Sequence, residues 1–352
     1  MFVTHSAPGT RRAASLAERR PHVPTARLLA ELVPPRHFAG ESFETYRPDP
    51  EFASQAAAVT RLREVAAAIG ADGGGPAGGS WWRRRRRAAP AAVYLDGGFG
   101  VGKTHLLASL AHAVGPERAV YGTFVEYTNL VGALGFAATV TALGAHRLVA
   151  IDEFELDDPG DTVLMSRLLR ELADRGVALA ATSNTLPDSL GEGRFAADDF
   201  LREIQAMAAR FEVLRIDGED YRHRRTVTDA QPVPDDVVRA VATRDSGATV
   251  DDFRELLESL AEVHPSRYGA LLDDVTLVGL TGVGALADQS AALRLVVLVD
   301  RLYDRDVPVL LGGSGEHGLF TPDMLRGGYR KKYYRTLSRL GSLAEQGRAL
   351  AA

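Results

Sequence analysis

The most informative point of the chain reads Gly97-Gly98-Phe99-Gly100-Val101-Gly102-Lys103-Thr104. It fits the pattern G-x-x-x-x-G-K-[ST], and it stands between a predicted strand, Val93-Tyr94-Leu95, and a predicted helix over residues 104–113. Glycines let such a loop fold so tightly that successive backbone N–H groups point inward, and the following helix adds the positive end of its dipole. The stretch therefore predicts a loop that binds nucleotide phosphates, with Lys103 reaching the β- and γ-phosphates and Thr104 ligating Mg²⁺.

Every residue of this loop is a candidate nucleotide contact, and we include the residue that follows it. The set is Gly97, Gly98, Phe99, Gly100, Val101, Gly102, Lys103, Thr104 and His105.

Two further apolar runs end in polar side chains. Leu148-Val149-Ala150-Ile151 is followed by Asp152 and Glu153. At the end of a buried strand beside the phosphate loop, Asp152 would hold Mg²⁺ through water, and Glu153 would act as the base or the orienting group for an attacking water. The second run, residues 177–181, is followed by Thr182, Ser183 and Asn184. The amide of Asn184 either contacts the γ-phosphate and the attacking water or caps a helix. These elements predict nucleotide hydrolysis, and ATP is preferred because no Asn-Lys-x-Asp segment offers guanine recognition.

Composition excludes several classes of function. The chain has 352 residues, 45% of them hydrophobic and 25% charged, with a net charge of −5 and no cysteine. It therefore cannot use a disulfide framework, a thiolate metal site or a cysteine nucleophile. The acidic balance argues against a surface built throughout to wrap nucleic acid. No apolar run approaches the roughly 18 to 20 residues that span a bilayer, so we expect no membrane-spanning segment.

Apolar runs alternate with helical patterns from residue 92 onward, which predicts an α/β fold of the P-loop NTPase type with a mainly parallel sheet flanked by helices. Expected strands are 93–95, 119–121, 148–151, 177–180 and 211–214; expected helices are 104–113, 129–143, 161–174 and 198–209. A smaller α/β region follows, with helices at 250–263, 291–305 and 329–346 and strands at 275–278 and 307–311.

Four regions follow from these patterns. Residues 1–40 are expected to be a basic, largely disordered tail, and 41–90 a helical segment, capped by Ser54, with a Gly/Arg-rich loop. Residues 91–225 are the ATPase core and 226–352 the C-terminal α/β region. Within the loop, residues 81–87 read Trp-Trp-Arg-Arg-Arg-Arg-Arg, either a solvated charge run or a docking patch for phosphates or acidic lipid head groups.

In this order, the phosphate loop, the Asp-Glu strand and the polar-tipped strand resemble an AAA+ ATPase. The closer resemblance is to the ZapE-type cell-division ATPases, which are related to ATPases associated with the mitochondrial inner membrane. It covers most of the chain between Phe43 and Leu340. The matching stretches are Phe43 to Pro50 with Ser54-Gln55, the phosphate loop, Ile151 to Asp158 with Leu168-Leu169, Thr182-Ser183-Asn184, Asp220-Tyr221-Arg222, Leu298 to Tyr303, and Ser338-Arg339-Leu340.

This resemblance implies an ATPase, with ATP and Mg²⁺ as cofactors, that forms a homo-oligomer and acts in the cytoplasm at the bacterial division site. It implies FtsZ or another component of the division machinery as the protein partner, and peripheral association with the inner face of the membrane. An arginine finger would come from Arg194 or Arg210, although the family's Arg-rich stretch is displaced here, and Arg294 is a weaker candidate for contact with nucleotide. The family's His-rich segment after the second strand is also replaced, by Thr123-Phe124-Val125-Glu126-Tyr127.

Two other functions remain open from the residues. A nucleic-acid-linked ATPase such as a helicase loader would carry similar loop and Asp-Glu elements and would use residues 81–87 to bind DNA. An ATP-gated scaffold would bind nucleotide with little turnover, and the presence of Glu153 argues against it.

Overall fold

The computed structural model describes residues 13–71, 91–98, 100–154, 159–183, 209–219 and 231–351. The chain divides into two compact units, residues 23–226 and residues 1–22 together with 227–352. The first unit contains the predicted ATPase core and is called the ATPase unit; the second is called the C-terminal unit.

The described part of the ATPase unit is built on a five-stranded parallel sheet in the order β2-β3-β4-β1-β5. The strands are β1 (Ala92–Gly97), β2 (Ala119–Thr123), β3 (Leu148–Asp152), β4 (Ala178–Ser183) and β5 (Glu212–Ile216). Because all strands run in one direction, their carboxyl ends share one edge, where the phosphate loop follows β1. Asp152 ends β3 at the same edge, and β4 lies between β1 and β3.

Helices cover both faces of this sheet. They are α1 (Thr25–Ala30), α2 (Ala53–Ala71), α3 (Lys103–Val114), α4 (Phe124–Leu134), α5 (Phe136–Leu143) and α6 (Pro159–Asp174). On one face Leu62 of α2 and Leu107 of α3 pack with Leu95 of β1, and all three are fully buried. On the other, Phe154 meets Tyr94 and Phe124 edge-on. The continuous apolar strands follow from this burial on both sides, and the predicted fold class is confirmed.

The helix predicted over residues 129–143 is wrong, because the chain forms α4 and α5 there instead. Gly135 separates them with a φ of 80°, a conformation that glycine adopts without steric cost. The first helix also begins earlier than predicted, at Phe124. Thr123 and Glu126 form a capping box there, with each side chain accepting a hydrogen bond from the other residue's backbone N–H.

The C-terminal unit has a three-stranded parallel sheet among its described residues, in the order β6-β7-β8. The strands are β6 (Ala248–Asp252), β7 (Leu277–Thr281) and β8 (Val309–Leu311); the helices are α7 (Asp235–Ala242), α8 (Phe253–Glu262), α9 (Tyr268–Leu271), α10 (Gln289–Asp304), α11 (Pro322–Arg326) and α12 (Arg330–Ala351). The helix predicted over 250–263 is therefore wrong at its start, which is β6. Asp252 ends that strand and caps α8 by accepting from the N–H groups of Arg254 and Glu255.

The expectation of a disordered tail over residues 1–40 is wrong for the part that the structure describes. Leu16 is 1% exposed in the core of the C-terminal unit, and Ala14 forms a parallel bridge with Thr249. The carboxylate of Asp251 accepts hydrogen bonds from the Ser15 hydroxyl and from the backbone N–H groups of Leu16 and Ala17, at 2.6 to 3.0 Å. The four arginines around Leu16 underlie the prediction of disorder, although this one apolar side chain anchors the segment.

The segment that follows also has definite structure. It contains α1 and a 3₁₀ turn, Arg36–Phe38, in the ATPase unit. After α1, the carbonyl of Leu32 accepts a hydrogen bond of 2.9 Å from the backbone N–H of Tyr121, on the edge strand β2.

In the C-terminal unit, helices α10 and α12 are joined by an ion-pair cluster. Asp300 lies 2.9 Å from Arg335 and 2.6 Å from Arg339, and all three side chains are about one-fifth exposed. Burial raises the pKa of Asp300, but the two guanidinium groups outweigh it and hold that pKa below its usual value. Asp300 and Arg339 belong to separate stretches of the family resemblance, and the fold brings them together.

Among the helices that the structure describes, none combines the length and the apolar character needed to cross a membrane.

Candidate nucleotide site

The phosphate loop is fixed by its glycines and its lysine. Gly97 has no room for a side chain, because a Cβ there would lie 2.3 Å from the carbonyl oxygen of Ile216 on β5. Gly100 and Gly102 have φ values of 75° and 89°, which side chains disfavour. Lys103 is 8% exposed, and its ammonium group donates to the carbonyls of Gly97 and Gly98 at 2.8 and 2.5 Å. The ammonium group of Lys103 therefore lies against its own loop, and its contact with the β- and γ-phosphates stays a prediction.

Asp152 is the centre of the second part of the site. Its side chain is buried, and Oδ2 accepts a 2.7 Å hydrogen bond from the hydroxyl of Tyr121 on β2. Its Oδ1 accepts from the hydroxyl of Thr182 on β4 and lies 3.3 Å from the hydroxyl of Thr104. The sheet order thus brings together the loop and the acid that the sequence predicted.

Glu153 has a φ of 54°, in the left-handed region that non-glycine residues rarely adopt. Its backbone N–H donates to Oδ1 of Asp152 and to the hydroxyl of Thr182, both at 3.1 Å. The next N–H, of Phe154, donates to the carbonyl of Thr182 at 2.7 Å. These bonds hold a backbone conformation that costs roughly 1 kcal/mol or more, which is typical of functional sites.

The oxygens at this edge suit a magnesium ion. Mg²⁺ takes hard oxygen ligands and is usually held by one or two carboxylates together with substrate phosphates. The Thr104 hydroxyl and the Asp152 carboxylate supply such oxygens beside the phosphate loop. Within the described ranges no group of three or more acidic or histidine side chains forms a metal site by itself. Thr104 and Asp152 would therefore hold Mg²⁺ jointly with the nucleotide.

A layer of side chains packs behind the phosphate loop. The hydroxyl of Tyr46 donates a 2.9 Å hydrogen bond to the carbonyl of Val101, and a Cβ on Gly102 would lie 2.5 Å from the Tyr46 ring. His105 meets that ring edge-on at 5.3 Å, and its Nε2 lies 3.0 Å from the carbonyl of Ser42. The imidazole is thus engaged with the segment before α2, and a nucleotide contact by His105 stays a prediction.

The start of α2 is tied to the end of β5. The Gln55 amide donates to the carbonyl of Asp217 at 2.8 Å, and its oxygen accepts from the N–H of Asp49. Ser54, which we expected to cap α2, instead accepts from the N–H of Asp217 at 3.0 Å. The helix begins at Ala53, so the Ser54 side chain is free to bridge two elements.

Several predicted residues and elements lie outside the described ranges: Phe99, Asn184, Arg194, residues 81–87, Asp220-Tyr221-Arg222 and nearly all of the helix expected over 198–209. Arg210 is described. It lies just before β5, at the edge of the sheet opposite the phosphate loop, 3.4 Å from Asp174. Arg294 lies on α10 in the C-terminal unit, where its Nε is buried without a hydrogen-bond partner among the described residues.

The sequence did not single out Tyr46 and Tyr121 as site residues. Tyr46 falls within a stretch of the family resemblance, yet nothing in its spacing links it to the loop far along the chain. Tyr121 reaches Asp152 only because β2 and β3 are neighbours, and pairing of strands is not readable from an apolar run.

Comparison with known proteins gives consistent results. The sequence profile of the AFG1-like ATPase family matches residues 22–236 and 228–349. Cell division protein ZapE of Escherichia coli strain K12 is 27% identical over 297 residues, which cover 72% of this chain and 78% of that protein. An uncharacterized protein of Schizosaccharomyces pombe is 26% identical over 164 residues, 40% of this chain and 35% of that one.

Solved structures resemble parts of the chain. The DnaC helicase loader is 17% identical and covers 51% of this chain and 99% of its own, with a TM-score of 0.35. The AMPPCP-bound DnaA of Aquifex aeolicus is 13% identical and covers 54% of this chain and 53% of its own, with a TM-score of 0.39.

Proposed function

This chain belongs to the AFG1-like ATPase family, and we propose that it hydrolyses ATP in a Mg²⁺-dependent reaction at the site formed by the phosphate loop and Asp152. The observation that carries this proposal is the 3.3 Å approach of the Thr104 hydroxyl to Oδ1 of Asp152, directly after Lys103. Lys103 and Thr104 begin helix α3 and Asp152 ends strand β3, and hydrolysis of a nucleoside triphosphate needs these groups at one place.

Each side chain has a defined task in this proposal. Lys103 would leave the loop carbonyls and neutralise the β- and γ-phosphates, while Thr104 and Asp152 hold Mg²⁺, which offsets the charge of the phosphates. Glu153 would orient and deprotonate the attacking water. Asn184 is proposed to contact the γ-phosphate from the residue that follows β4. Arg194 or Arg210 would act on the γ-phosphate of a neighbouring subunit, which requires a homo-oligomer.

We further propose that hydrolysis remodels or regulates a protein of the bacterial cell-division machinery, with FtsZ as the partner. The support is the similarity to a cell division protein together with the stretches that resemble ZapE-type ATPases. ATP-bound and ADP-bound states with different affinities for the partner would provide the coupling. The protein would then act in the cytoplasm at the division site, in peripheral contact with the membrane.

The test compares the purified wild type with Lys103→Ala and Glu153→Gln. We expect phosphate release from ATP to require Mg²⁺ and to fall by about 100-fold or more in both variants. Glu153→Gln loses a general base, which contributes roughly 10²–10⁴, and Lys103→Ala loses the cation that neutralises the β- and γ-phosphates. Glu153→Gln should still bind ATP, as measured by calorimetry, and Lys103→Ala should not. Equal turnover by Lys103→Ala and wild type would overturn the site assignment.

The partner is tested with FtsZ of the same organism. Glu153→Gln, held in the ATP state, should sediment with FtsZ polymers in ATP and less in ADP. If it sediments equally in both, the proposed coupling is wrong. A steeply salt-dependent affinity for single-stranded DNA, with no sedimentation, would instead favour a nucleic-acid-linked ATPase.

A further inference from the structure

The side chain of Tyr46 packs against the backbone of the phosphate loop at Val101 and Gly102. It is 9% exposed, and its hydroxyl donates to the carbonyl of Val101 at 2.9 Å. Its ring occupies the space that a side chain at Gly102 would need. Both contacts fall on the one peptide unit that joins Val101 to Gly102.

This contact fixes an orientation. In a planar trans peptide unit the C=O and the N–H point in opposite directions. Because Tyr46 holds the carbonyl of Val101 outward, the N–H of Gly102 in the same unit must point away from Tyr46, to the other side of the loop backbone. An N–H on that inner side is the kind of donor that a loop of this pattern offers to phosphate oxygens.

Tyr46 is itself held in place. Its ring meets His105 edge-on at 5.3 Å, and Nε2 of His105 lies 3.0 Å from the carbonyl of Ser42 and 3.1 Å from the hydroxyl of Thr45. Phe43, 7% exposed, anchors the same segment in the apolar core that also contains residues of α2 and α3. The tyrosine is therefore a fixed support rather than a mobile side chain.

We propose that Tyr46 is a positioning residue for the nucleotide phosphates, acting through the peptide unit between Val101 and Gly102. The proposal rests on the function proposed above and adds a determinant outside the phosphate-loop motif. It is specific to the phosphates, because the contact is made to the loop and not to a base or a ribose. The N–H of Gly102 would serve ground state and transition state alike, so binding should suffer more than turnover.

The experiment uses Tyr46→Phe, which removes the hydroxyl and keeps the ring. The KM for ATP and the inhibition constant of pyrophosphate should both rise by about fivefold, because the misoriented N–H of Gly102 no longer gives the phosphates a hydrogen bond of roughly 1 kcal/mol. The kcat should change by less than about twofold, as expected when uniform binding is lost. Tyr127→Phe is the matched control, since the Tyr127 hydroxyl also donates to a backbone carbonyl, that of Ala150, within the buried core of the same unit.

The outcomes are distinct. A fraction of unfolded protein lowers the apparent kcat but leaves KM and the pyrophosphate constant unchanged, so loss of folding cannot imitate the expected result. Unchanged constants in Tyr46→Phe, or an equal rise in Tyr127→Phe, would overturn the proposal. A wild type that neither hydrolyses ATP nor binds pyrophosphate would overturn the proposed function itself, which is a separate result.

Discussion

The hydroxyl of Tyr121 lies 2.7 Å from Oδ2 of Asp152, on the strand next to it. The opposite oxygen, Oδ1, accepts from Thr182 and faces Thr104. The two oxygens of the acid thus have different partners, and the tyrosine leaves Oδ1 turned toward the threonine of the phosphate loop. If Asp152 holds Mg²⁺ as proposed, this division of contacts orients its carboxylate before any nucleotide binds.

We therefore expect Tyr121→Phe to weaken the response to Mg²⁺. Without the phenol, Asp152 can turn, and a buried carboxylate oxygen loses its donor, a loss worth about 1–3 kcal/mol. The Mg²⁺ concentration for half-maximal ATPase activity should rise by about fivefold or more. Titration of phosphate release against Mg²⁺ measures this, with Tyr127→Phe as the control. An unchanged half-maximal concentration would show that the tyrosine does not position Asp152.

Gly97→Ala should destabilise the ATPase unit. Its Cβ would lie 2.3 Å from the carbonyl oxygen of Ile216, so strand β5 would have to shift away from β1. Overpacking of this kind costs about 1–3 kcal/mol. Gly98→Ala is a matched control, because nothing lies within 4 Å of a Cβ there. Chemical denaturation should show a loss only in Gly97→Ala; similar unfolding free energies for the two variants would contradict this expectation.

Arg210 is tested as a trans-acting finger by mixing variants. Arg210→Ala keeps an intact phosphate loop and Lys103→Ala keeps the arginine, so each should be inactive alone and the mixture active. The arginine makes an exposed ion pair with Asp174, worth about 0–1 kcal/mol, so its loss should not unfold the unit.

Asp174→Ala is the control for this mixing test, since it breaks the same ion pair and leaves the arginine in place. It should retain activity. If Arg194→Ala restores activity with Lys103→Ala and Arg210→Ala does not, then Arg194 is the finger. If neither mixture recovers, and activity is independent of protein concentration, the site works within one subunit.

Asp300→Asn should destabilise the C-terminal unit by about 2 kcal/mol near pH 7, because two partly buried guanidinium groups lose their counter-charge. The pKa of Asp300 is lowered in the folded protein, so its contribution to the free energy of unfolding is present above the unfolded pKa, about 3.9, and is lost as the pH falls through the folded value. The gap between wild type and variant should therefore narrow at acid pH.

Denaturation at a series of pH values measures this gap. Asp323→Asn serves as the control, because Asp323 and Arg326 form an ion pair whose side chains are 94% and 73% exposed. Such a pair contributes about 1 kcal/mol or less. A gap for Asp300→Asn that stays constant from neutral to acid pH would show that the charge of Asp300 does not stabilise the fold.

Much of this architecture is readable from the sequence because its signals are local. The strand ending at Asp152 and the helix ending at Asp174 each depend on neighbouring residues, and the structure has both. The errors have tertiary causes or lie in weak local signals. A single positive-φ glycine, Gly135, divides one expected helix, and Val250 is in a strand because it pairs with Gly279 of β7.

The two tyrosines that contact the site could not be predicted from the sequence, because their contacts are with residues far along the chain. Tyr46 meets Val101 across 55 residues of chain, and Tyr121 meets Asp152 across 31. Tyr46 stands between Thr45 and Arg47 and Tyr121 follows an apolar pair, and neither context distinguishes a site residue from an ordinary buried tyrosine. Only the sheet order and the fold of the segment before α2 give them their roles.

The short segment around Leu16 has a consequence for synthesis of the chain. Its partners, Thr249 and the carboxylate of Asp251, are synthesised more than 230 residues after it. At roughly 5–20 residues per second, this segment waits on the order of ten seconds or longer for them, while the ATPase unit emerges and can fold in between. The C-terminal unit can therefore close around the Leu16 segment only after the ATPase unit has been synthesised, and a bulky domain inserted close before Ala13 would hinder that step.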